Sequence, residues 1–202
     1  MNRETILEAL SDAAGQDALF RQADQVRDKQ VGDTVQLRGV VHFSNYCRCN
    51  DLYCGLLKDN DQCKRFRMTE DEIVDTALAI ADAGLHTVVL QSGEDPHFTR
   101  ATLCSIIERI RNKADVAITL SLGQRSRDDL EAFRDAGAER YLMKHETMNP
   151  ELYARMRPGL KLDDRLRLIG LLREVGFQVG VGNIVGLPGQ TLEDLCEDIL
   201  FF

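Results

Sequence analysis

The sequence predicts an α/β fold: a partial (β/α) barrel of the TIM type, with about five parallel strands preceded by N-terminal helices. Three observations predict it. Short β-prone runs alternate with amphipathic stretches from Val40 onward, the order that right-handed βαβ units and a parallel sheet require. The chemically unusual residues each follow the carboxyl end of a predicted strand, where such barrels build their sites; they fall in Cys47–Cys54, Ser92–Asp95, Ser121–Arg125, Lys144–Thr147 and Gly186–Gln190. No G-x-G-x-x-G follows the first strand, which sets aside the dinucleotide-binding form of a doubly wound sheet.

Taken in order, Asn2–Lys29 reads as two helices broken at Gly15–Gln16, with Ile6, Leu7 and Leu10, then Leu19, Phe20 and Val26, as the apolar face. The first core strand falls near Val40–Phe43. Thr69 with Glu72 three residues on is a capping box, so a helix opens there and stops at Gly84. His86–Gln91 and Val116–Leu120 are the next strands, separated by a helix over about Thr99–Lys113. A helix over about Arg127–Ala136 ends at Gly137, before the strand Arg140–Met143. A helix near Asp163–Val175 ends at Gly176, and a fifth strand runs from Gln178 to Gly182 or Ile184. Thr191 caps a last helix that is still apolar at Phe202. The expected organisation is an N-terminal helical segment, 1–39, and a partial barrel, 40–202. A closed barrel needs eight strands and ~250 residues, so its C-terminal part is expected to be missing: the chain is a fragment, or a partner completes it.

Length and composition bound the function. At 202 residues the chain can bury one substantial core. A formal charge of −8 argues against a nucleic-acid binder, since no basic stripe is evident. No apolar run approaches the ~18 residues that span a bilayer, and MNRETILEAL lacks a signal-peptide core. The expected setting is therefore a reducing cytoplasm without membrane attachment, in which six cysteines are thiols or metal ligands, not disulfides.

The chemistry concentrates in VHFSNYCRCNDLYCGLLKDN, Val41–Asn60. A strand stops at a loop carrying Cys47, Cys49 and Cys54, with Tyr53 before the last thiol. Thiolates are soft ligands, and three on one loop can hold three corners of a cubane [4Fe-4S] cluster, leaving a fourth iron open to a small molecule. Cys104 and Cys196 lie in helical apolar patterns and read as packing thiols, while Cys63 is a reserve ligand in a polar stretch. Ordinary reduced loop cysteines are the bland alternative.

FSNYCRCNDLYCGL, with LQSGEDP, KHETMNPELY and VGLPGQTLEDL further on, resembles the radical S-adenosylmethionine (SAM) superfamily. Within it the chain resembles the HydE-type [FeFe]-hydrogenase maturases, with biotin synthases and methylornithine synthases as relatives. The resemblance runs from about Val41 to the last residue. It implies a [4Fe-4S] cluster and SAM as cofactors, reductive cleavage of SAM to a 5′-deoxyadenosyl radical, and a small-molecule substrate met during H-cluster assembly. As partners it implies an electron donor such as a flavodoxin or ferredoxin, and other hydrogenase maturation proteins. The family loop reads C-x3-C-x2-C, so Cys47 and Cys54 match its ends, but the middle position is Asp51. Cys49 can swing in as that ligand, Asp51 can ligate through oxygen, or the cluster is incomplete. For SAM, the resemblance implies Ser92, Gly93 and Glu94 at the methionyl amine, Glu146 at the ribose or amine, and Arg165 at the carboxylate. Ile184 and Gly186 would lie beside the adenine, although Gly189 stands where relatives often carry an acid. Ser121 and Arg125 face the same mouth, and His145 reads as structural. Two rival readings follow: a methylornithine or biotin synthase-like radical SAM enzyme, and an inactive SAM- or metal-binding fragment.

Overall fold

The computed structural model describes residues 2–202. Two helices, α1 (Arg3–Ser11) and α2 (Gln16–Val31), precede the first strand, β1 (Gly39–Ser44). The alternation then runs α3 (Glu70–Asp82), β2 (Thr87–Ser92), α4 (Arg100–Arg111), β3 (Ala117–Ser121), α5 (Arg127–Asp135) and β4 (Arg140–Leu142). It closes with α6 (Pro150–Met156), α7 (Leu162–Glu174), β5 (Gln178–Gly180) and α8 (Leu192–Phe201). The five strands form one sheet in sequence order, every neighbouring pair parallel. This is the βαβ progression expected; the bounds of β1 to β4 lie within a residue of the predicted ones, while β5 ends at Gly180, short of the expected Ile184.

Period-two alternation divides the sheet. Val41, Phe43, Val88, Leu90, Ile118, Leu120 and Tyr141 are buried under the helices. Against them pack Ile73 and Ala77 of α3, Leu103, Ile107 and Ile110 of α4, Leu130 and Phe133 of α5, and Leu172 of α7. Phe43 and Phe98 meet edge to face at 4.6 Å, which fixes the top of that layer. The alternate residues, among them His42, Gln91, Ser121 and Leu142, face the other side, where they line a cavity. α3, α5 and α8 begin with capping boxes from Thr69/Glu72, Ser126/Asp129 and Thr191/Asp194.

Three features differ from expectation. α6 was not foreseen, although Asn149 as N-cap and Pro150 at the first helical position are its signal; the Asn149 carboxamide accepts from the Glu151 and Leu152 amides. α2 buries none of its side chains: Phe20 is 62% and Val26 57% exposed, so the expected apolar face meets no partner among the described residues. α1 does pack, against α8, with Ile6 buried and Arg3 paired to Glu197 at 2.7 Å. No helix among the described residues is long and apolar enough to cross a membrane.

Thr69→Ala removes a side-chain cap from α3, and about 1 kcal/mol of stability is expected to go with it. A lower urea midpoint at unchanged slope is the result to look for; an unmoved midpoint would contradict the role given to the box.

Candidate functional site

The carboxyl ends of β1 and β2 meet with unusual closeness. A Cβ at position 93 would lie 2.2 Å from the Tyr46 carbonyl oxygen and 2.9 Å from Cys47 Cβ, so only glycine fits there. The Gly93 amide donates to the Ser44 carbonyl at 3.1 Å, and the Arg48 amide to the Glu94 carbonyl at 3.1 Å, stitching the cysteine loop to the end of β2. Below them Asp95, fully buried, accepts from Ser44 Oγ at 2.6 Å and from Arg67 at 2.7 and 3.0 Å. The Arg67 guanidinium lies 3.7 Å over the Tyr46 ring. Burial raises the Asp95 carboxyl, and the stronger pull of Arg67 and Ser44 leaves it below the usual range.

This end of the sheet opens into a cavity of ≈ 300 Å³. Cys47, Asp51, Tyr53 and Cys54 form one wall, and Ser92, Gly93 and Glu94 another. Glu146, Arg157 and Arg165 close it, with His42, Ser121 and Lys144 on the floor and sides. Three predicted residues are elsewhere. Cys49 is not on the wall. Ile184 packs against Leu152, Met156 and Leu187, the cluster that Tyr53 also covers. Gly186 sits in a turn, its amide donating 2.7 Å to Gln190 Oε1. Arg125 serves a neighbouring cavity and donates to the Phe98 and Asp95 carbonyls, and the Cys63 sulfur meets Asn45. Cys104 and Cys196 pack as expected. His145 is buried against Phe201 and Phe202.

The charges in the cavity are arranged unevenly. Glu94 is fully engaged, accepting from the Gln124 amide at 3.1 Å and Arg48 Nε at 3.2 Å. Glu146, at φ +71°, has a buried Oε2 without a hydrogen-bond partner among the described residues, and burial pushes its carboxyl up. Tyr53 Oη is likewise buried and unpartnered. Arg165 is buried, its Nε donating to Tyr153 Oη at 3.2 Å while another nitrogen presses on Met143 Sδ; no carboxylate among the described residues pairs with it. Sequence reasoning reaches Arg165 only through the resemblance; the structure puts it on the cavity wall. It missed Arg157, which is also buried and donates to Asp51 Oδ1 at 2.8 Å and Tyr153 Oη at 2.9 Å. Finding it required α6, whose end it occupies.

At the thiols, the Cys49 amide donates to Cys47 Sγ at 3.4 Å. The neighbouring Cys49 lowers the Cys47 pKa to about 6, while Cys49 itself is pushed up by Cys47 and by burial. Among the described residues no three His, Cys, Asp or Glu side chains gather tightly enough to hold a single metal ion. A cubane is ligated at separate corners, and Cys47, Asp51 and Cys54 on one wall offer two thiolates and a carboxylate at C-x3-C-x2-C spacing. The donor set fits such a cluster with oxygen in the middle position.

Comparison with known proteins agrees with this geometry. The model of the Radical SAM superfamily matches residues 41–202. The chain is 48% identical over 201 residues to the [FeFe] hydrogenase maturase subunit HydE of Thermotoga maritima, covering 98% of this chain and 58% of that protein. It is 28% identical to the 3-methylornithine synthase of Methanosarcina barkeri, covering 92% of this chain and 57% of that protein. Among solved structures, methylornithine synthase superposes with a TM-score of 0.89 at 27% identity, over 98% of this chain and 59% of that one. The maturase HydG of Carboxydothermus hydrogenoformans gives 0.87 at 27% identity, over 97% of this chain and 47% of that one. The chain thus spans little more than half the length of these relatives, and its five strands are part of their barrel.

Gly93→Ala forces the Tyr46 backbone aside and is expected to cost about 1–3 kcal/mol. A lower melting temperature with faster hydrogen exchange at Arg48 and Cys49 checks this; wild-type melting would refute the packing.

Proposed function

The chain belongs to the radical SAM superfamily, and on that premise we propose that it is the SAM-binding half of a HydE-like enzyme acting in [FeFe]-hydrogenase H-cluster maturation. Arg165 carries the reading. An ionised guanidinium out of water is costly without an anion, and this one lines the cavity with no carboxylate paired to it among the described residues. The carboxylate of SAM is the anion it suits, because the planar fork pairs with two oxygens.

The remaining roles follow from the walls. Ser92, Gly93 and Glu94 receive the methionyl ammonium, with Glu94 already held in place by Gln124 and Arg48. Glu146 has an unpartnered oxygen for the ribose or the amine. Ile184 and Gly186 flank the adenine, with Ile184 seated on the cluster of Leu152, Met156 and Leu187. Cys47 and Cys54 ligate two irons of the [4Fe-4S] cluster, the cofactor that superfamily members use with SAM, and the third ligand comes from Cys49 or Asp51 between them. When bound, the cluster supplies the electron that splits SAM into methionine and a 5′-deoxyadenosyl radical. His42, Ser121 and Lys144 line the side where a small substrate would meet it. We assign residues 1–39 to a helical prefix and 40–202 to this half barrel, and place the enzyme in the reducing cytoplasm. A flavodoxin or ferredoxin would serve as electron donor, and other hydrogenase maturation proteins as partners.

The test is anaerobic reconstitution with iron and sulfide, then EPR of the reduced protein. A cubane signal that changes on adding SAM supports the reading; a signal blind to SAM sinks it. In the reconstituted protein, Arg165→Ala is expected to weaken SAM binding by about tenfold or more, from the loss of a charged hydrogen-bonded pair. Arg165→Lys should recover part of that loss, and an unchanged dissociation constant in Arg165→Ala would remove the residue from the site.

A further inference from the structure

We propose that Asp51, and not Cys49, is the third protein ligand of the cluster, with Arg157 as the residue that positions it. This rests on the cluster-binding reading above and specifies the ligand that reading leaves open.

Position along the chain and position in space agree. Asp51 stands between Cys47 and Cys54 at the middle of the C-x3-C-x2-C spacing, and all three line the same cavity. Cys49 does not line it. Its main chain is also tied on both sides: the amide donates to Cys47 Sγ at 3.4 Å, and the carbonyl accepts from the Lys58 amide at 2.8 Å.

Asp51, by contrast, is already held as a ligating carboxylate would be. One oxygen, Oδ1, accepts from Arg157 Nε at 2.8 Å; Oδ2 has no donor among the described residues. Carboxylates that bind metals are commonly fixed in this manner, one oxygen hydrogen-bonded by an outer residue and the other left for the metal. The outer residue is itself rigid. Arg157 is buried and donates to Tyr153 Oη at 2.9 Å. The backbone agrees with the side chains: the Leu52 amide donates to the Met156 carbonyl at 2.9 Å, and the Cys54 amide to the Asp51 carbonyl at 2.9 Å. The carboxylate is thus preorganised from both ends, by α6 and by its own turn.

Oxygen is a harder ligand than thiolate and donates less electron density, so the cluster is expected to be easier to reduce than an all-cysteine one. The test compares wild type with Cys49→Ala, Asp51→Asn and Asp51→Cys after anaerobic reconstitution. Iron and acid-labile sulfide per chain, the reduced EPR spectrum and the midpoint potential are measured. Cys49→Ala should keep the wild-type iron content and spectrum. Asp51→Asn can still accept from Arg157, so its iron-free form should fold, at a lower melting temperature because the buried ion pair is lost, while its cluster is lost or reduced to three irons. Asp51→Cys should hold a full cluster at a lower potential. A full cluster with an unmoved spectrum in Asp51→Asn overturns the assignment, whatever Cys49→Ala does. That outcome leaves the cluster-binding reading standing, whereas a wild type that takes up no cluster while Asp51→Cys takes one overturns the assignment and ends that reading for this chain. Failure of every form, Asp51→Cys included, overturns that reading and the assignment with it.

Discussion

Everything at the active end of this molecule depends on two backbones meeting with no side chain between them. Gly93 lets the end of β2 lie against Tyr46 and Cys47, and the hydrogen bonds across that contact turn the cysteine loop into an extension of the sheet. A loop so anchored needs little further ordering to receive a cofactor, because its conformational entropy is already lost on folding. The buried Asp95, bound by Ser44 and Arg67, locks the same junction from beneath. The Arg67 guanidinium in turn covers the Tyr46 ring, so charge, aromatic face and backbone are fixed together.

Above that junction the protein leaves charge unbalanced on purpose-built walls. Arg157 and Arg165 share the hydroxyl of Tyr153, yet their fates differ: one has Asp51 and the other has no carboxylate among the described residues. A buried guanidinium with a partner holds a loop; one without a partner selects a ligand. The orphaned Glu146 oxygen across the cavity is the complementary vacancy for a cation or a hydroxyl. The uncompensated groups are those that SAM would satisfy.

Much of this was legible in the sequence where the signal is local. Strands with period-two burial and helices with capping boxes announce themselves over short windows, so the five parallel strands and their order were readable, as was the clustering of Cys47, Cys54, Gly93, Glu94, Glu146 and Arg165 at one end. What was not legible depends on long-range contact. Arg157 lies 106 residues from Asp51 and has no motif around it, so nothing nearby shows that the pair exists. The apolar stripe of α2 has helical periodicity, yet periodicity says only that one face is apolar; it does not supply a surface to cover Phe20 and Val26. Whether Cys49 or Asp51 serves between Cys47 and Cys54 turns on where each side chain lies in the folded loop, which composition does not show.

The clasp between α1 and α8 has a consequence for how the chain is made. Arg3 and Glu197 are 194 residues apart, and the Cys196 thiol reaches the Arg3 carbonyl across the same gap. During synthesis α1 emerges before α8 and finds its packing surface only after the five strands between them have been made. Until then Ile6 stays in water on a nine-residue helix, too short to persist alone. α1 is therefore structured only once α8 has been made, and its order reports on whether that later segment has folded.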